Sequence, residues 1–328
     1  MVDFRWFAPN RYCTLVVPAL RKLGFSIATE GDESATVAVA MDGQCAVTGF
    51  EFARRHSCPL LLYLWDLPPW RLGTGRPDVV FEWHRRVRRV PRFVGGYPER
   101  PGYYSRIRFV ARRAAWVWAP STLTARDLAE RFGVTAPVVP FCFDSDRFTP
   151  GQWQPRIPPR LLSVSRLVPH KNHAALIRAA ARLTPRPIVR LIGQGPEAGN
   201  LRALAQSLEV PLELSGDWSG DDEVVAAYRD ATVVVAPSRF EGFGLTPMEG
   251  VASGIPTVAS DIPPHRDHLG DAVTYFPLED DLSLVTAIRT AMERGPVSPD
   301  EVAHLTIDAA AERFADRLAM VLREAASR

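Results

Sequence analysis

Between residues 160 and 260, short apolar runs alternate with stretches of helical periodicity, and this alternation leaves few folds open. Strands are predicted at 160–165, 188–192, 212–214, 232–237 and 257–260, and helices at 173–183, 197–208, 222–230 and 247–254. Strands separated by helices must be joined by crossovers, which gives a parallel sheet with both faces covered. Continuous apolar runs such as "ATVVVAP" are what strands buried on both faces look like. The first half repeats the pattern with strands at 4–8, 35–41, 115–119 and 138–141 and the run "LLLYLW" after Pro59. Its helices are predicted at 14–23 and 44–56, with a third capped by Ser121 and closed at Gly133. Between the halves, "TPGQWQPRIPP" at 149–159 is proline-rich and aperiodic, the composition of a linker. The expected organisation is therefore an α/β Rossmann-like domain over 1–148, a second over 149–305, and a C-terminal helix over 306–328 that packs back on the first. Doubly wound sheets take ligands at the carboxyl ends of their strands, so two of them facing each other would form a deep cleft.

At 328 residues the chain is long enough for two such cores. No apolar run reaches the length of a membrane span, and "MVDFRWFAPNRYC" lacks the form of a signal peptide. Cys13, Cys45, Cys58 and Cys142 show no metal-ligand spacing, so reduced thiols, no metal site and a cytoplasmic location are expected. The net charge of +2 conceals ten arginines between Arg85 and Arg113 against a single acid, Glu99. That segment reads as a solvated helix face, or as a peripheral contact with an anionic membrane or a phosphorylated acceptor. Nucleic acid is not expected, because no matching module accompanies the charge. Arginine dominates so strongly that Lys22 and Lys171 are the only lysines.

Two constellations carry chemistry. In "SRFEGFGLTPMEG", Glu241 and Glu249 flank a glycine turn that follows an apolar strand. Gly242 and Gly244 permit close approach of main-chain N–H groups to an anion. Thr246-Pro247-Met248-Glu249 fits a helix start with threonine at the N-cap and glutamate in a capping box. The first turn of that helix would favour a phosphate. Glu249 is thus either a capping residue or a ligand group; Glu241 is either a loop acid or an acceptor of hydroxyl hydrogen bonds. In "LLSVSRLVPHKN", a strand opens into Arg166 with Lys171 five residues on. A guanidinium fork and an ammonium point charge together suit a diphosphate, and the scarcity of lysine argues against simple surface decoration. "RLIGQGPE" is a strand, a glycine turn and a helix start, but Ala198 stands where a dinucleotide fingerprint would have its third glycine.

In order, "SRLVPHKN", the "GQGP" turn and the Glu-x7-Glu of "SRFEGFGLTPMEGVASGIPTVASD" resemble the retaining GT-B glycosyltransferases of family 4. "PFCFDSDRFTP" resembles that family's segment entering the interdomain hinge, with Cys142 where glycine is usual. The resemblance implies a GT-B fold of two facing Rossmann-like domains and metal-independent hexosyl transfer from a nucleotide sugar, with retention and no cofactor. It implies that Arg166 and Lys171 hold the donor diphosphate as it leaves. Glu241 would bind hydroxyls of the transferred sugar and Glu249 those of the ribose. The backbone of Gly242, Phe243, Gly244 and Leu245 would lie against the sugar phosphate.

One position departs from the family. Its first-domain strand often ends in His-Asp, whereas here it ends in Trp65-Asp66. Trp65 cannot act as a base; Asp66 remains a candidate for contact with the sugar or acceptor. A non-catalytic nucleotide-sugar-binding or scaffold protein of the same fold is the alternative reading, followed by an epimerase or a phosphorylase. "SDIPPHRDHLGDAVTYF" resembles mannosyltransferases of surface-polysaccharide assembly, with Asp267 where glutamate is common, and tilts the donor towards GDP-mannose over UDP-glucose. A glycan, lipid-linked or small-molecule acceptor is expected. Arginine in place of lysine suggests a bacterium of GC-rich genome.

Overall fold

The computed structural model describes residues 2–67, 93–94, 97–98, 103–215, 221–278 and 280–327. It divides the chain into two compact units, 1–142 with 305–328, and 143–304. Arg85, Arg86, Arg88, Arg89, Arg92 and Arg100 of the arginine-rich segment lie outside the described residues.

In the first unit, β1 (Val2–Phe7), β2 (Ile27–Ala28), β3 (Ala35–Met41) and β4 (Leu60–Tyr63) form most of one sheet. A separate antiparallel pair, β5 (Phe93–Val94) and β6 (Tyr97–Pro98), precedes β7 (Trp116–Trp118). The main sheet runs β2-β1-β3-β4-β7 with every pair parallel. This is the order 2-1-3-4-5 of one doubly wound class, with its switch point beside β1. β3 and β4 bury nearly every side chain because helices cover both faces. Helix Gly43–Arg55 approaches β3 closely: a Cβ on Gly49 would lie 2.9 Å from that of Ala40. Helix Ile307–Ala326, capped by Thr306, belongs to this unit. Its Phe314 ring meets those of Tyr63, Trp118 and Phe141 at 5.5–5.7 Å, and Arg313 donates to the Pro140 and Phe141 carbonyls.

The second unit holds a six-stranded parallel sheet: β8 (Arg160–Val164), β9 (Ile188–Ile192), β10 (Leu212–Ser215), β11 (Val233–Ala236), β12 (Thr257–Ser260) and β13 (Thr274–Phe276). Its order is β10-β9-β8-β11-β12-β13, the 3-2-1-4-5-6 arrangement of a dinucleotide-type fold. The chain leaves β8 towards β9 and later returns to its other side as β11. The carboxyl ends of β8 and β11 therefore flank the switch point, where such sheets bind ligands.

Four expectations need correction. The boundary between units falls after Cys142, not at 148, and the stretch 149–159 is not a free linker. Phe148 packs edge-on against Tyr228 at 5.1 Å, Gly151 N–H donates to Ser253, and the Trp153 indole donates to Thr232. Proline removed regular structure there without removing packing. The strand predicted at 138–141 is reduced to one bridge, Ala119 to Val138, because Pro137 and Pro140 have no N–H to give a ladder. The helix predicted over 14–23 is divided into a 3-10 turn, Arg11–Thr14, and a shorter helix, Val17–Lys22, with Pro18 near its start.

Candidate active site

The carboxyl ends of β8, β9, β11 and β12 are tied together by hydrogen bonds between their loops. Leu167 N–H donates to the Gln194 carbonyl at 2.8 Å and Arg239 N–H to the His170 carbonyl at 2.7 Å. The Thr246 hydroxyl donates to Val164 at the end of β8, and that of Ser260 to Ser238 at the end of β11, both at 2.6 Å. The glycines of "GQG" serve this packing. A Cβ on Gly193 would lie 2.0 Å from the Ser165 carbonyl oxygen, and one on Gly195 2.1 Å from that of Leu167. Only glycine lets the two turns approach so closely.

Lys171 ends the 3-10 turn Pro169–Lys171, and its Nζ donates to Glu241 Oε1 at 2.6 Å. The two side chains are only 13% and 14% exposed, so the pair joins the β8 loop to the β11 loop in a sheltered place. Burial opposes ionisation of Glu241, but the charge and hydrogen bond of Lys171, with a hydrogen bond from Ser238, overcome it and hold the carboxyl down at about 2. Burial, reinforced by the Lys171 charge, lowers His170 and His173 to about 3. Both imidazoles are therefore neutral, His173 Nε2 lying 2.9 Å from Ser165 Oγ. The fixed positive charge rests on Lys171 and on the half-buried Arg166 one residue past Ser165.

Helix Leu245–Ala252 starts beside this pair. The capping box expected at Thr246 is not formed. Gly244 takes the N-cap position with φ +97°, Thr246 is already helical, and its hydroxyl is spent on Val164. No side chain among the described residues caps the helix, so its first N–H groups and dipole end face the glycine turn. Glu249, fifth in the helix, is too far along to reach the cap. It is buried, accepts a 2.7 Å hydrogen bond from the Tyr228 hydroxyl, and is pushed up to about 7, chiefly by burial and further by Asp144.

Of the residues singled out from sequence, Arg166, Lys171, Glu241, Gly242, Phe243, Gly244, Leu245 and Glu249 all lie in the second unit, at or beside the switch point. Asp66 lies in the first unit, on the loop leaving β4. Trp65 packs edge-on against Tyr63 and Phe141 at 5.7 and 5.1 Å, and its carbonyl accepts from the Thr124 hydroxyl. Two participants escaped the sequence reading. Tyr228 follows Val224–Ala227 in the last turn of helix Asp221–Asp230 and reads as core; only the fold brings it to Glu249. His265 sits within "SDIPPHRDHLGDAVTYF" and is fully buried against Gly244, where a Cβ would meet its Cδ2 at 2.8 Å.

Residues 152–313 match the family described as glycosyl transferases group 1. A GDP-mannose-dependent alpha-mannosyltransferase of Mycolicibacterium smegmatis is 29% identical over 192 residues, covering 52% of this chain and 49% of that protein. The chain spans about half or less of the length of the curated relatives it matches. The fold is similar to that of sucrose-phosphate synthase from Thermosynechococcus elongatus (TM-score 0.70, 15% identity, 99% of each chain). It is also similar to that of Anabaena HepE in complex with UDP and glucose (TM-score 0.65, 15% identity, 100% and 99% of the chains). These likenesses establish a GT-B fold of two parallel-sheet α/β domains.

Proposed function

We propose, from the membership of residues 152–313 in the glycosyl transferases group 1 family, that this chain moves a hexose from a nucleotide diphosphate sugar to an acceptor, with retention and without a metal. The observation that carries the reading is the Lys171–Glu241 pair at the switch point, beside the uncapped start of helix Leu245–Ala252. Departure of a nucleoside diphosphate puts negative charge on the β-phosphate. Lys171, Arg166 and the N–H groups of Phe243, Gly244 and Leu245 would stabilise that charge as it develops, in place of a divalent cation. Glu241, ionised at any physiological pH, would accept hydrogen bonds from sugar hydroxyls. Glu249 would accept those of the ribose.

Mannose is the sugar to test first, on the strength of the mannosyltransferase relative and the "SDIPPHRDHLGD" segment. The acceptor, glycan, lipid-linked or small, is assigned to the first unit, with Asp66 as its candidate contact. Arg106, Arg108 and Arg113, exposed around helix Tyr103–Ala111, would favour an anionic acceptor or a peripheral position at an anionic membrane. No helix among the described residues is long and apolar enough to cross one.

In EDTA-containing buffer the protein is expected to bind one of GDP-mannose, UDP-glucose, UDP-N-acetylglucosamine or ADP-glucose and to release its nucleotide slowly to water. Binding without release, with acceptors present, would favour a non-catalytic scaffold. Activity only on adding magnesium or manganese would contradict the metal-independent mechanism.

A further inference from the structure

His265 is fully buried beneath the glycine turn, and its two ring nitrogens are treated differently. Nδ1 lies 2.9 Å from the Ser260 carbonyl oxygen, which can only accept, so Nδ1 carries a proton. Nε2 is then the bare nitrogen, and it is buried with no hydrogen-bond partner among the described residues. It lies on the side facing Gly244, where a Cβ would come within 3.1 Å of it. A buried nitrogen without a partner costs stability in this state, so its retention points to a use in another. The groups whose charge reaches it are Glu241 and Lys171 from the β11 and β8 loops and Asp261 from the end of β12. Asp261 is already neutralised by Arg266 at 2.7 Å. The other neighbours are polar without fixed charge: His268 on the same helix and the Tyr275 hydroxyl, which donates to the His265 carbonyl.

In this structure the Glu241 carboxylate is balanced by Lys171, and burial keeps His265 neutral. A diphosphate arriving at the turn would compete with Glu241 for the same ammonium. We propose that donor binding is coupled to uptake of one proton at His265 Nε2, so that His265 replaces Lys171 as the cation facing Glu241 while Lys171 turns to the diphosphate. The proton comes from solvent, Nδ1–H stays on Ser260, and no covalent bond to the ligand forms or breaks. His265 acts as a positioning residue: it keeps Glu241 ionised and oriented for the sugar once its lysine is engaged elsewhere. This rests on the donor-site reading above and adds to it a stoichiometry of protons.

Nucleotide sugars carry diphosphate diesters, which do not titrate near neutrality, so a proton taken up on binding must settle on the protein. Calorimetry of GDP-mannose and UDP-glucose binding at pH 7, in buffers of different ionisation enthalpy, reads that proton directly. Glu249, itself near 7, gives up part of a proton when its carboxylate takes the ribose hydroxyls, so the readout is the difference between two proteins that share it. His265→Asn keeps a donor for Ser260 but has no atom at Nε2. The expected result is that the unaltered protein takes up at least about half a proton more on binding than His265→Asn does. Equal buffer dependence in the two proteins would overturn the inference and leave the donor site standing. No binding of either donor would overturn the donor-site reading and the inference together.

Discussion

Lys171→Ala is expected to lower turnover by about 100- to 1,000-fold, the usual cost of removing one preorganised charge from a developing anion. It should also destabilise the fold by about 3 kcal/mol, since Glu241 would be left sheltered and unpaired. The two effects can be separated. In the native protein Glu241 titrates at about 2, below its ordinary 4.5. The stabilisation it draws from Lys171 is therefore present above pH 4.5 and lost as pH falls through 2. Removing the lysine removes that acid limb. Adding Glu241→Gln to Lys171→Ala removes the stranded charge and should restore much of the stability, but none of the turnover. Steady-state kinetics beside urea unfolding of the single and double variants checks both. Near-normal turnover in Lys171→Ala would remove the lysine from the mechanism.

Glu249→Gln should raise stability and lower donor affinity, an unusual pairing. Burial lifts the Glu249 carboxyl from 4.5 to about 7, so the folded state holds a proton there that the unfolded chain has released. That contribution is present below pH 4.5 and is lost as pH rises through 7. Glutamine imitates the protonated form and can still accept from the Tyr228 hydroxyl. It should therefore be nearly neutral at pH 4 and stabilising by about 3 kcal/mol at pH 8. A carboxylate that accepts from two ribose hydroxyls binds them better than an amide does, so donor affinity should fall by about tenfold. Thermal unfolding at the two pH values, with calorimetry of donor binding at pH 8, reads both arms. Loss of stability with affinity unchanged would return Glu249 to a structural role.

Five of the six strands of the second unit were legible as short, mostly apolar runs between amphipathic stretches, whereas β13, three residues long, was too short to show a pattern. The order of the strands was not legible, yet that order creates the switch point that collects Arg166, Lys171 and Glu241. Lys171 and Glu241 were each picked out from local motifs, but their ion pair joins residues seventy positions apart and leaves no trace in either motif. The capping box at Thr246 failed for a physical reason: Gly244 supplied a left-handed turn that starts the helix at Leu245, so Thr246 lies inside the first turn with its hydroxyl on Val164, and Glu249 lies beyond the third helical position. The proline-rich stretch at 149–159 misled for a similar reason, since composition reports missing secondary structure but not the packing of Phe148 and Trp153. Tyr228 and His265 were invisible because their partners, Glu249 and Gly244, lie in other elements, and a lone tyrosine or histidine in a helix carries no local sign of its contact.

The most direct test is a crystal structure with an intact nucleotide sugar, chosen from the donor panel and grown without metal. The account predicts the diphosphate against Phe243, Gly244 and Leu245 with Lys171 Nζ on a phosphate oxygen. It further predicts sugar hydroxyls on Glu241 and ribose hydroxyls on Glu249. A nucleotide bound away from Lys171 and the glycine turn would contradict it.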